Sequence, residues 1–225
     1  MKTTLIICCK NEAQTLASVI TSAKPYVDEL LVIDGHSTDG SRQVAKKNGA
    51  TVIIDNGNGK GAGIQLGIRK ATGDIIVFMD ADGSHNASDI PKLVKPLIDK
   101  HADLVIASRT RGGSDDVHGS LDDTIRAIGS AIIAQVINWR YHSQITDAEN
   151  GFRAIRTSIA KQLPLTVNSF AIEQDMLMKT LAQRHTVTEI ASHEFKRMYG
   201  KSKIDLWSVW FQFIGNALIN CFRLS

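Results

Sequence analysis

Apolar residues in the first half of the chain fall in short runs separated by helical patterns. Leu5 to Cys9 reads as a buried strand, and strands are also predicted at Leu30–Ile33, Thr51–Ile54, Asp74–Met79 and Leu104–Ala107. Between the first two, Ala13, Leu16, Val19, Ile20 and Ala23 recur at helical spacing. A second helix should follow Asp34, capped near Thr38 and stopped by Asn48-Gly49. A glycine-rich loop, Asn56 to Gly63, leads into a third helix that runs to about Ala71, and a fourth is expected from Ser88 to Lys100. Strand and helix in repeated alternation predict an α/β fold, a Rossmann-like, mainly parallel sheet flanked by helices. Ligands of such sheets bind beyond the carboxyl ends of the strands. Asp34, Asp80, Asp82 and Arg109 each fall just after a predicted strand, so separate strand ends deliver polar groups to one crevice.

The second half is less regular. A polar loop, Ser108 to Gly119, precedes a helix from Ser120 to Trp139 with Ile125, Ile128, Ile132, Val136 and Trp139 on one face. A helix at Glu173–Leu181, a strand at Val187–Ile190 and a basic loop from Arg197 to Lys203 follow. Leu206 to Phe222 holds no charged residue and carries Trp207, Trp210, Phe211, Phe213 and Phe222. Ser208, Gln212, Asn216 and Asn220 recur every four residues there, which on a helix makes one narrow polar stripe. Such a helix is about 25 Å long, short of a hydrocarbon core of about 30 Å. The chain thus divides into a domain over residues 1–204 and an amphipathic helix over 205–225. That helix suits a membrane interface or a contact between subunits.

Composition narrows the classes. With 225 residues, 43% hydrophobic and 22% charged, the chain suits one globular domain. A net charge of +3 without a long basic run argues against nucleic acid as a partner. The three cysteines show no metal-binding spacing, and adjacent Cys8 and Cys9 should point to opposite faces of a strand. The apolar stretch at the start is too short for a signal peptide. These features predict a cytoplasmic protein, peripheral at the cytoplasmic face of a membrane.

Asp80-Ala81-Asp82 is the centre of the candidate chemistry. Two carboxylates one residue apart at a strand end suit a hard divalent cation, magnesium or manganese, bridged to phosphates. Such an ion offsets the charge of a departing diphosphate. The loop after Asp34 offers donors for a nucleoside; Asn11-Glu12 suits a base or ribose, or simply a helix start. Lys60 suits a nucleotide contact, although Gly57 to Gly67 carries neither a dinucleotide fingerprint nor a Walker motif.

The ordered series C-C-K-N-E, L-L-V-I-D-G-H-S-T-D-G-S, Gly59-Lys60-Gly61, V-F-M-D-A-D-G-S, L-V-I-A-S-R, D-A-E-N-G-F-R-A and R-M-Y-G-K-S-K-I resembles family 2 glycosyltransferases of GT-A fold. Within that family it looks in particular like the dolichyl-phosphate or polyprenyl-phosphate mannose synthases and their bacterial relatives, from Leu5 to about Ile204. The resemblance implies that Glu12 and Asp34 hold the base and ribose, and that Asp80 and Asp82 hold the metal and diphosphate. It sets Arg109 and Arg126 near phosphate and Asp147 beside the acceptor. Arg197 and Lys203 would come from a mobile loop that closes on donor and acceptor phosphates. Ser84 stands where relatives often carry Gln, which leaves one metal ligand to water.

The expected reaction is an inverting transfer of a hexose from a nucleotide sugar, GDP-mannose ahead of UDP-glucose, to a polyprenyl phosphate. A hydroxyl acceptor would need a general base, for which Asp147, Glu149, Glu173 and Asp175 are the acidic candidates. The rival classes are a sugar nucleotidyltransferase, whose glycine-rich first loop is absent, and a non-catalytic sugar-nucleotide-binding protein.

Overall fold

The computed structural model describes residues 1–115, 121–200, 212–217 and 219–220, except for the side chains of 121–126. Strands β1 (Thr3–Cys9), β2 (Glu29–Asp34), β3 (Thr51–Ile54), β4 (Ile75–Asp80), β5 (Leu104–Ser108), β6 (Arg153–Arg156) and β7 (Val187–Ala191) form one sheet. Its order is β3-β2-β1-β4-β6-β5-β7. Only β6 runs antiparallel to its neighbours, β4 and β5. The helices are α1 (Ala13–Ala23), α2 (Ser41–Lys47), α3 (Lys60–Lys70), α4 (Ile90–Ile98), α5 (Arg109–Gly112), α6 (Leu121–Tyr141), α7 (Thr157–Ala160) and α8 (Ile172–Ala182). The α/β expectation holds, and each strand read from the sequence is present.

Period-2 alternation sorts the strand residues onto two cores. Leu5, Ile7, Cys9, Val32, Val77 and Met79 face α1, α2 and α4 through Leu16, Ile20, Ala45, Ile90 and Leu93. Ile6, Leu31, Ile33, Ile76, Phe78 and Ile106 face α3, α6 and α8 through Ile64, Ile68, Ile137 and Met176. Cys8 packs against the second core and Cys9 lies in the first, as the strand reading requires. The chain steps outward from β1 to β3 and returns to β4 on the other side of β1. The crevice of the sheet therefore opens between β1 and β4.

The structure departs from the sequence reading in several places. Thr38 does not cap α2; Gly40 precedes it with φ +91°, a left-handed backbone that favours glycine. The glycines around Lys60 are not mainly a loop. α3 begins at Lys60, and a Cβ on Gly61 would stand 2.2 Å from the carbonyl oxygen of Val167. They let the start of α3 lie against the backbone of 167–168, where the Gly61 N–H donates to Asn168 at 2.9 Å. Part of the expected Ser108–Gly119 loop is α5, capped by the Ser108 hydroxyl.

Strand β6 was not expected. Its Arg153 is fully buried and donates to the carbonyls of Ala148, Asn150 and Glu173. Burial pulls this guanidinium down to about 10. On α6 the core-facing residues are Ile133, Ala134 and Ile137, whereas the expected stripe of Ile128, Ile132, Val136 and Trp139 is exposed, Trp139 by 77%. Residues 212–217 and 219–220 are helical. There Asn216 is buried against Gln174, and Asn220 donates to Asp175 at 3.1 Å, while Ile214 and Ile219 face outward. Trp207, Trp210, Phe211 and Phe222 lie outside the described residues, and among those described no helix is long and apolar enough to cross a membrane.

Candidate active site

The parallel register brings the ends of β1, β2, β3 and β4 level: Cys8 lies beside Asp80, Cys9 beside Asp34, and Asp34 beside Ile54. A cavity of about 430 Å³ opens above them. In sheet order its wall passes from Asp55 and Gly57 after β3, through Gly35 after β2 and Glu12 after β1, to Asp80 and Asp82 after β4. Lys60, Lys10, Arg197, Phe170 and Ala81 also line it.

Lys60 at the start of α3 reaches into the carboxylates. Its Nζ lies 2.7 Å from Asp80 Oδ1 and 2.8 Å from Glu173 Oε1 on α8. Burial opposes the Lys60 charge, but these two carboxylates outweigh it and raise the ammonium above its ordinary value. Burial would likewise raise Asp80; Lys60, with His85 and Arg197, instead holds it down at about 2. Asp80 is therefore ionised at neutral pH.

Asp82 is fixed on both sides. The Ser84 N–H and hydroxyl donate to its Oδ1 at 3.0 and 2.7 Å, so Ser84 orients the aspartate that precedes it by two residues. Arg197 approaches Oδ2 at 3.1 Å and also pairs with Glu12 at 3.1 Å. Arg197 reaches there because the chain after β7 folds back over β4's turn. The Phe195 N–H donates to Ser84 O at 2.8 Å and the Met198 N–H to Asp82 O at 3.1 Å. Thr15 on α1 donates to the Ala81 carbonyl at 2.6 Å, which pins the residue between the two aspartates.

Partly exposed Arg109 and buried Asp147 form a second group nearby. Nε and Nη2 of Arg109 contact the two carboxylate oxygens at 2.8 and 2.9 Å, a planar fork-to-carboxylate match. Burial of Asp147 works against its charge, but Arg109 prevails and lowers the carboxyl below its ordinary range. Glu149 differs: burial pushes it up, opposed by the Ser130 hydroxyl bonded at 2.7 Å.

Of the residues named from sequence, the structure thus brings Glu12, Lys60, Asp80, Ala81, Asp82 and Arg197 to one cavity. Asp34 sits beneath it, fully buried, its carboxylate turned to the Ser37 N–H at 3.1 Å and to Arg42 at 3.3 Å. Asn11 is engaged with the loop after β2, its Oδ1 accepting the Thr38 N–H at 2.8 Å, and does not cap α1. The Arg126 side chain and all of Lys203 lie outside the described residues. Sequence reasoning missed His85, Asp55 and Glu194. The Asp80 N–H donates to Nδ1 of His85 at 3.3 Å, which directs Nε2 toward Asp80 Oδ2 and Glu194 Oε1, at 4.0 and 3.8 Å.

Among the described residues no three His, Cys, Asp or Glu side chains form a preassembled metal cage. The donors at β4's end are two carboxylates, hard oxygen ligands already neutralised by Lys60 and Arg197. Their chemistry fits an ion that takes its remaining ligands from phosphates and water.

The family model described as glycosyl transferase family 2 matches residues 4–163. Among curated proteins, the glycosyltransferase AglJ of Haloferax volcanii is 29% identical over 195 residues, 84% of this chain and 62% of AglJ. An uncharacterized glycosyltransferase of Mycobacterium tuberculosis is 30% identical over 201 residues, 89% of this chain and 88% of that protein. Glucosyl-3-phosphoglycerate synthase of M. tuberculosis, solved with Mn2+, UDP and phosphoglyceric acid, superposes with a TM-score of 0.79 at 22% identity. That match covers 100% of this chain and 80% of the synthase, and at such identity it speaks for the fold. The chain belongs to glycosyl transferase family 2 and is a glycosyltransferase of GT-A fold.

Proposed function

We propose that this enzyme transfers a hexose, with inversion, from a nucleotide diphosphate sugar to a phosphate acceptor carried on a polyprenyl lipid, with Mg2+ or Mn2+ held by Asp80 and Asp82. The observation that carries the reading is the pairing of two carboxylates with two cations on one cavity wall, Lys60 on Asp80 and Arg197 on Asp82. A bound metal supplies positive charge to the diphosphate leaving group. Asp82, fixed by Ser84, and Asp80, tied to the end of β4, are held ready to receive it. Lys60 and Arg197 would turn from the carboxylates to the phosphate oxygens, where a point charge and a planar fork both suit anions. Lys203 belongs to the same loop by sequence and is proposed for the acceptor phosphate. Arg109 and Asp147 position the acceptor side as a rigid pair, and Arg126 is proposed for a phosphate contact on the resemblance alone.

A lipid phosphate is already ionised, so this route needs no strong general base. Two apolar features support a lipid-borne acceptor. The exposed stripe of Ile128, Ile132, Val136 and Trp139 lies on α6, and the helical residues after 211 turn Ile214 and Ile219 outward. Such faces suit the boundary between headgroups and acyl chains. A hydroxyl acceptor is the second reading, favoured by Glu149, which burial predisposes to accept and release a proton.

The mycobacterial synthase named above was solved with UDP and Mn2+. AglJ is a glycosyltransferase by name, and this chain spans 62% of its length. UDP-glucose, in line with that neighbour's nucleotide, and GDP-mannose, favoured by the sequence resemblance, are the first donors to test. A thermal-shift panel of nucleotide sugars, with Mg2+, Mn2+ or EDTA, should give stabilisation that requires the metal. Equal responses in EDTA would refute the metal-bridged donor site.

A further inference from the structure

Asp55 follows β3 and stands in the cavity wall at the end away from Asp80 and Asp82. From β3 to β4 the wall crosses three inter-strand steps, about 14 Å. That suffices for a base, a ribose and two phosphates laid end to end. This inference rests on the donor reading given above: with the diphosphate at Asp80 and Asp82, the nucleobase falls beside Asp55.

The local structure is built for a flat ring with one polar reader. The Asp55 side chain is only 7% exposed. Its Oδ1 accepts the Gly57 N–H at 2.7 Å, and its own backbone carbonyl lies 3.0 Å from Nε2 of His36. Its Oδ2 has no hydrogen-bond partner among the described residues. That oxygen lies where the adjacent wall lacks side chains: a Cβ on Gly63 would come within 3.3 Å of it, and one on Gly35 within 3.7 Å. The oxygen thus belongs to a side chain held in place by its other contacts, yet opens on the cavity, where a ligand N–H can reach it.

We infer that Asp55 reads the nucleobase of the donor, through Oδ2, by accepting a ring N–H. An ionised carboxylate only accepts. Uracil offers N3–H and guanine N1–H at the matching edge. Cytosine and adenine place a nitrogen lone pair at that ring position, and their neighbouring amino N–H reaches the carboxylate only if the base shifts along this edge. The site therefore selects uridine or guanosine donors over cytidine and adenosine ones. A hydrogen bond to a charged acceptor accounts for roughly 10- to 100-fold in affinity.

Asp55→Asn inverts the reader with little change of shape. Its Oδ1 keeps the Gly57 N–H, and its amide nitrogen stands in place of Oδ2 as a donor. The test is calorimetric binding of UDP, GDP, CDP and ADP, each with Mn2+, to the full chain and to Asp55→Asn. The parent should bind UDP or GDP at least about tenfold more tightly than CDP and ADP. In Asp55→Asn that ranking should flatten or reverse, while the diphosphate-dependent affinity persists. If the parent binds all four equally, or if the variant keeps the parent's ranking, the inference falls; the first outcome needs no variant to fold. Failure of every nucleotide to bind would instead defeat the donor reading itself.

Discussion

Replacing Lys60 by Met should leave Asp80 and Glu173 facing each other without their shared cation. Both oxygens lie within 2.8 Å of Nζ, so they are at most about 5.5 Å apart, and Glu173 is nearly buried. Two like charges at that separation repel by about 3 kcal/mol at an effective dielectric of about 20. The loss of both ion pairs acts in the same direction, as expected when one partner of a buried group is removed. A chain of this size loses roughly 2–4 °C in Tm per kcal/mol, so Lys60→Met should melt about 6–12 °C below the parent. Calorimetric melting at neutral pH in EDTA measures this. Lys60→Arg should retain most of the stability, and Mn2+ should return part of it to Lys60→Met by restoring positive charge beside Asp80. Melting of Lys60→Met within 1 °C of the parent in EDTA would refute the reasoning.

Other perturbations follow from the same geometry. Arg109→Ala strands the buried Asp147 carboxylate and should cost about 3–5 kcal/mol in denaturant unfolding, with Arg109→Lys only a partial rescue because the fork is lost. Asp147 is held below its ordinary 3.8, so its stabilisation is complete above that pH and is lost as pH falls through the depressed value. Asp147→Asn should therefore flatten the acid limb of unfolding free energy against pH. Gly151→Ala would place a Cβ 2.7 Å from Asp80 Oδ2, and should weaken Mn2+ binding about tenfold by calorimetry while the fold persists. Flotation with anionic liposomes should carry the full chain upward more than a folded version ending at Ile204; equal behaviour would assign the residues after 204 to a protein contact.

The parallel strands were legible because each is a buried apolar run that ends at a turn, and strand ends of this kind expose Asp80 and Asp82 by position alone. β6 was not legible. R-A-I-R carries arginine at both ends, and Arg153 is tolerated inside only because carbonyls of residues 148, 150 and 173 converge on it. Those acceptors are set by tertiary folding, not by local pattern. Asp34 was legible as a strand end, but its side-chain direction was not; Arg42, the second residue of α2, draws it under the cavity. Asp55 was hidden by Asp-Asn-Gly, which reads as turn chemistry. His85 and Glu194 meet only because the chain after β7 returns across β4's turn, a contact no local pattern encodes.

The central claim is that Asp80 and Asp82 serve a metal-dependent departure of a nucleoside diphosphate. Release of nucleoside diphosphate from GDP-mannose and UDP-glucose should be followed with a short polyprenyl phosphate present, in the parent chain and in Asp82→Ala. Release from one of these donors should require Mn2+ or Mg2+, stop in EDTA, and fall by at least about a hundredfold in an Asp82→Ala chain that melts like the parent. Undiminished release in EDTA, or from Asp82→Ala, would contradict the account.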